Sequence, residues 1–204
     1  MIRSTAAVTR ILLGAAAAMA FATEPAFAHT GMGAISGFAA GMNHPMAGLD
    51  HVLAMVTVGM LASQLGGRAL WLVPSTFVLI MALGGAGGAA GIDLPFVEIG
   101  VALSVVALGA TVALQMKASV AVAMGLVGLF AIFHGHAHGG EMPAEAAGLN
   151  YGLGFMLATA GLHGLGIGLH FLTSQVAKAR SVMIVRLAGV AVAVTGLGIL
   201  TGAT

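Results

Sequence analysis

The feature that most constrains this chain is a succession of long apolar runs that contain almost no charge. Charged residues make up 6% of the sequence and apolar residues 59%, whereas a soluble domain carries about 25% charged residues. Each run approaches the roughly 20 apolar residues that cross the hydrocarbon core of a bilayer as a helix. We therefore predict an all-α fold, a polytopic membrane helix bundle.

The runs predict six transmembrane spans. They cover 45–65, 69–90, 96–116, 119–138, 148–172 and 181–204. A single straight helix from 30 to 65 would be about 54 Å long, which exceeds the ~30 Å thickness of the hydrocarbon core. We therefore expect this stretch to break at Pro45, leaving a short broken or re-entrant helix at the outer face before the first span.

The N-terminus has the pattern of a cleavable signal peptide. Two arginines precede a short apolar segment, and an Ala-Phe-Ala cleavage signal ends at Ala28. This predicts a signal peptide at 1–28 and one transmembrane domain at 29–204, with an uncleaved signal anchor as the alternative. Cleavage would leave His29 as the first residue, where its amine and imidazole could chelate a metal or where it simply follows the cut.

The loop charges predict the orientation of the spans, because basic loops stay on the cytoplasmic side. With the mature N-terminus outside, every basic loop residue falls inside and every acidic loop residue outside. The basic residues are Arg68, Lys117, Lys178 and Arg180, and the acidic ones are Asp93, Glu141 and Glu145.

Two dense polar clusters lie at the outer ends of these spans. The first contains His44, Asp50 and His51, and the second contains His134, His136, His138 and Glu141. Ionisable groups inside a membrane are expensive and usually mark a functional site. The chain has no Cys, so a metal site must use nitrogen, oxygen or thioether ligands, and imidazole with carboxylate suits divalent transition metals.

The spacing within each cluster suggests how imidazoles could converge. On one continuous helix, His44 and His51 are seven apart and share a face. His134 and His138 are four apart and also share a face, with His136 turned away. Two helices could therefore build a site of three to four ligands; the alternative is a set of buried polar groups that link the helices.

Other polar residues are weaker candidates. Asp50 could balance the charge of a metal ion, or it could instead orient His51. Glu98 could contribute to an entrance or lie at the level of the lipid headgroups. His163 lies deeper, where it could continue a metal path or form a hydrogen bond to neighbouring backbone.

Both clusters carry a resemblance to a known family. His44-Pro45-x-x-Gly48-x-Asp50-His51 resembles the H-P-x-x-G-x-D-H signature of the HupE/UreJ family of nickel/cobalt permeases, and 133–141 resembles its second motif, F-H-G-x-A-H-G-x-E. The resemblance implies uptake of nickel or cobalt across the bacterial inner membrane for metalloenzymes such as hydrogenase or urease. It implies metal handling by His44, Asp50, His51, His134, His138 and Glu141.

The expected function is therefore transport of a divalent metal rather than catalysis, with nickel first and cobalt next. Ni²⁺ or Co²⁺ would be the substrate, and we expect no tightly bound cofactor. The bilayer and the metal ion are the expected partners, whereas no basic patch exists for nucleic acid. The rival interpretations are a membrane sensor or accessory subunit that binds metal without transporting it, and an intramembrane di-metal enzyme.

Overall fold

The computed structural model describes residues 33–142 and 148–203, and within them the chain forms seven α-helices and no strand. The helices are α1 (Gly33–Ala47), α2 (Leu49–Leu65), α3 (Ala69–Ala89), α4 (Val97–Ala113), α5 (Val120–Gly140), α6 (Gly148–Val176) and α7 (Ser181–Thr201), with a 3-10 turn at Lys178–Arg180. The all-α prediction is confirmed for these residues. The predicted signal peptide and His29 lie outside them.

Four of the helices, α3, α5, α6 and α7, are long and apolar enough to cross a membrane. The bent pair of α1 and α2 passes the same test as one broken span, while α4 is a shorter apolar helix of 17 residues. Each of the six predicted spans coincides with a helix, and the count of six crossings stays a prediction. Large side chains such as Leu79, Leu83 and Val194 are more than half exposed, as lipid-facing residues of a multi-pass membrane protein are.

The break before the first span lies three residues later than predicted. Pro45 lies in the last turn of α1, which continues to Ala47, and the chain bends by 86° at Gly48. Gly48 is extended, with φ −98 and ψ 122. A side chain there would crowd the carboxylate of Asp50, whose Oδ1 accepts a hydrogen bond of 2.7 Å from the backbone N–H of His51.

Glycines bring the backbones of α3 and α5 into contact. A methyl group at Gly135 would collide with the carbonyl of Met81, and one at Gly139 with the carbonyl of Gly85. In the second motif, Gly135 directly follows His134, and Gly139 directly follows His138. Close packing on the glycine face therefore fixes the height at which α5 presents its histidines on the neighbouring face.

The order of contacts agrees with helices that alternate in direction. Gly84 of α3 faces Ile132 of α5, and Gly88 faces His136, so these two helices run parallel. Gly109 of α4 faces Ala193 of α7, whereas Gly196 of α7 faces Val106, so this pair is antiparallel. If successive spans cross in alternating directions, the second and fourth spans must be parallel and the third and sixth antiparallel. The contacts of α3 with α5 and of α4 with α7 agree with this.

The centre of the bundle is α2. Its residues Ala54, Met55, Val58 and Leu61 have no exposed surface, and it contacts α3, α4 and α6. His51 lies one turn before Met55 and is therefore at the end of the apolar core where α2 begins.

Candidate metal site

Five of the six residues that the motifs single out meet at the end of the bundle where α2 begins and α5 ends. Among the residues that the structure describes, they form two groups, in each of which the ligand atoms all lie within 4.8 Å of one another. The outer group is His44, His138 and Glu141, and the inner group is His51, His134 and His138. His138 belongs to both groups.

The outer group opens toward the surface. His44 Nε2 lies 2.8 Å from His138 Nδ1 and 3.2 Å from Glu141 Oε2. His138 Nδ1 is 3.4 Å from the same carboxylate oxygen. The side chains of Glu141, His44 and His138 are 59%, 27% and 15% exposed. Access to solvent thus decreases from the carboxylate toward the histidine that the groups share.

Two of the three residues of the inner group are sealed from solvent. His51 and His134 have no exposed surface. His51 Nδ1 lies 3.2 Å from His134 Nδ1 and 2.9 Å from His138 Nε2. A neutral imidazole carries one proton on two nitrogens, so at such a contact one nitrogen donates a proton and the other accepts it on its lone pair. Imidazole nitrogens that converge in this way can turn lone pairs toward a transition metal ion when the ion takes the place of the shared proton.

Ser104 of α4 orients His134. Its hydroxyl donates to the carbonyl of Val101 at 2.6 Å, so its Oγ can only accept from His134 Nε2–H at 2.7 Å. The proton of a neutral His134 therefore lies on Nε2, and its Nδ1 turns a lone pair toward His51. A hydrogen bond of this kind, made by the nitrogen away from the metal, commonly fixes a ligating histidine.

Aromatic rings cover the two groups. The Phe155 ring of α6 lies 5.2 Å from His51 and 5.0 Å from His138, centroid to centroid. The Phe77 ring of α3 lies 5.8 Å from His134. These apolar rings keep water away from the inner group, which strengthens any interaction between the imidazoles and a cation.

The remaining predicted residues lie outside both groups. Asp50 lies in the first turn of α2, where its Oδ1 accepts a hydrogen bond from the backbone N–H of His51. Glu98 is exposed in the first turn of α4. His136 is turned away, as its spacing predicted, and its Nε2 donates to the Ile92 carbonyl at 2.5 Å. His163 is buried deeper in the bundle.

One part of the sequence argument was wrong. His44 and His51 do not share a face of one helix, because the 86° bend separates them; each reaches His138 from a different helix. Sequence reasoning also missed Ser104 and Phe77. Neither lies in a motif, and a lone serine in an apolar helix commonly bonds only to its own backbone.

Comparison with known proteins accounts for this arrangement. The sequence pattern of the family described as HupE / UreJ protein matches residues 16–199, which include both ligand groups. Protein HupE of Rhizobium leguminosarum bv. viciae is 51% identical over 177 residues, or 87% of this chain and 91% of that protein. No solved structure matches the chain. The two motifs, their convergence in space and the extent of these matches lead to one conclusion: the chain belongs to the HupE/UreJ family.

Proposed function

We propose that this protein is a permease of the bacterial inner membrane that imports a divalent transition metal, nickel foremost and cobalt next. The mature N-terminus and the outer group face the periplasm in this proposal. The observation that carries it is the position of His138, which places one ring nitrogen in each of two ligand groups at different depths.

The ligand chemistry suits this substrate. Imidazole nitrogen binds nickel, cobalt, copper and zinc well. The outer group adds the carboxylate of Glu141, which offsets part of the charge of an incoming dication while the ion is still partly hydrated. Asp50, at the start of α2, supplies a second negative charge near the groups without belonging to either.

The shared histidine favours transfer over storage. A neutral imidazole offers one lone pair at a time, so His138 binds an ion in the outer group through Nδ1 or in the inner group through Nε2. Filling both groups together would require the ring to lose its second proton. The two groups would therefore bind an ion alternately, and an ion that moved inward would leave only His44 and Glu141 of the outer group free of it.

Transport also requires that no site hold the ion too strongly. Each group offers three protein ligands, fewer than the four of a closed structural metal site. Two incomplete sites that share a ligand allow entry and release, which a single closed site would oppose.

Uptake of radioactive nickel into liposomes that contain the purified protein tests this proposal. We expect saturable uptake. His44→Ala and His134→Ala should each reduce its rate at least about tenfold, which is the smallest loss of activity expected when a residue that supports a metal site is replaced. His136→Gln is the matched control, because it changes a histidine of α5 that lies outside both groups, and it should leave uptake close to wild type.

The result that would contradict transport is nickel binding without uptake, which would favour the sensor or accessory interpretation. Competition by cobalt, zinc and copper in the same assay ranks the substrates. Uptake competed by zinc or copper and not by cobalt would overturn the assignment of nickel and cobalt.

A further inference from the structure

Arg186 lies in the second turn of α7, on a face of that helix that the bundle leaves uncovered. Its neighbours on this face, Met183, Leu187 and Val190, are 56%, 60% and 48% exposed, and Arg186 is exposed with them. The helix α7 is long and apolar enough to cross a membrane. A charged side chain within such a helix is costly and is normally paired, so the position of Arg186 requires an anion beside it.

Arg186 is held beside the end of α4. Its Nε–H donates to the carbonyl of Ala113 at 3.1 Å, and Ala113 is the last residue of α4. The end of α4 in turn lies beside the end of α2, because Gln115 Nε2 donates to Gln64 Oε1 at 3.2 Å. The candidate metal site is at the start of α2, so the guanidinium lies at the opposite end of the bundle, where α4 ends.

The chain supplies positive charge and no carboxylate at this end. Three connections between helices lie here: 66–68, 114–119 and 177–180. They contain four basic residues and none of the six acidic residues of the chain. Lys117, which follows α4, and Arg180, which precedes α7, are both exposed. Within the described residues, every ion pair involves Glu141 at the other end. The anion that Arg186 requires must therefore come from outside the chain.

The bond to α4 leaves most of the guanidinium free. A guanidinium has five N–H donors in a fixed fork, and the bond to Ala113 uses only the one on Nε. The terminal nitrogens match the oxygens of a phosphate group, which arginine binds through two parallel hydrogen bonds. Lipid phosphates lie in the polar region just outside the hydrocarbon core, and the long arginine side chain places its charge at that level.

We propose that the adjoining ends of α4 and α7 form a binding site for the phosphate group of an anionic phospholipid. Arg186 binds the phosphate, and Lys117 and Arg180 add positive charge that favours an anionic headgroup over a zwitterionic one. This site goes beyond the proposed permease function and does not depend on it, because lipid binding can be measured on a protein that transports nothing.

A purely structural role of Arg186 makes a different prediction. If this residue only caps the last carbonyl of α4, its replacement lowers the thermal unfolding temperature equally in every lipid. The first test therefore compares the wild type with Arg186→Gln in nanodiscs of phosphatidylglycerol and of phosphatidylcholine. We expect the wild type to unfold at a higher temperature in phosphatidylglycerol, and the variant to lose this difference. A variant that keeps the full difference between the two lipids would overturn the proposal.

The second test counts bound lipids directly. The full chain in detergent is titrated with phosphatidylglycerol or phosphatidylcholine, and native mass spectrometry measures the occupancy of the first bound lipid. We expect phosphatidylglycerol to bind at least about fivefold more tightly, the preference that one basic residue near a headgroup supplies, and Arg186→Gln to abolish this preference.

Arg68→Gln is the matched control, because Arg68 is an exposed arginine at the same end of the bundle, in the connection between α2 and α3. It should keep the preference for phosphatidylglycerol. An equal loss in the two variants would indicate a general effect of surface charge and overturn the site. Displacement of phosphatidylglycerol by millimolar inorganic phosphate at constant ionic strength would identify a soluble anion as the ligand and overturn the assignment to lipid.

Discussion

Replacing Ser104 by Ala tests the orientation of the inner group at a residue that neither motif contains. Ser104 is fully buried, and its Oγ accepts the only hydrogen bond that the structure gives to His134 Nε2. In the Ala variant this N–H loses its partner and no longer holds Nδ1 toward His51. We therefore expect a weaker metal site and a less stable protein.

The magnitudes follow from these contacts. A buried N–H left without an acceptor costs about 1–3 kcal/mol of stability. Loss of a partner that orients a ligating histidine reduces metal affinity by about 10–100-fold, which corresponds to about 1.4–2.7 kcal/mol of binding free energy. The substitution should therefore weaken nickel binding clearly, while the helix content of the metal-free protein stays close to that of the wild type.

The assay titrates nickel into the purified protein in lipid nanodiscs and measures the heat of binding by calorimetry. Thr111→Val is the matched control, because Thr111 is also a buried hydroxyl of α4 but donates to the carbonyl of Ala107 in its own helix. We expect Thr111→Val to bind nickel like the wild type. Equal affinities for Ser104→Ala and Thr111→Val would refute the argument that Ser104 sets the orientation of His134.

Three further predictions test other contacts. His138→Ala removes a ligand from both groups and should reduce nickel affinity more than His44→Ala, by at least about 100-fold in titration; an equal loss in the two variants would show that the groups do not share His138. Gly135→Ala should lower stability by about 1–3 kcal/mol in thermal unfolding, because its methyl group meets the Met81 carbonyl, whereas Gly125→Ala on the same helix meets no other side chain or helix and should be neutral or stabilising by up to about 1 kcal/mol. Nickel affinity should fall as the pH of the titration is lowered through the acid range, because protons compete with the metal for imidazole nitrogen; a pH-independent affinity would exclude histidine ligation.

The sequence predicted the helices and most of the residues that come together at the candidate site, because both depend on local patterns. Apolar runs of near-span length predicted every helix from α2 to α7, and the spacing of His134, His136 and His138 correctly separated two inward-facing rings from one that turns away. The convergence of both motifs at one end of the bundle followed from the alternation of the spans.

What the sequence did not predict depends on contacts between helices. Pro45 looked like the break, yet α1 continues through it to Ala47, and the bend formed at Gly48, where the Asp50 carboxylate needs the space. The shared role of His138 and the hydroxyl of Ser104 follow only from the packing of α4, α5 and α6 around α2.

X-ray absorption at the nickel edge, on the protein in lipid nanodiscs loaded with one nickel ion per chain, tests the central claim most directly. The account predicts the multiple-scattering pattern of imidazole ligands, from up to the three histidines of the inner group, and its loss in a variant with His44, His51, His134 and His138 all changed to Ala. A shell of oxygen ligands alone, or a spectrum that these four substitutions leave unchanged, would contradict it.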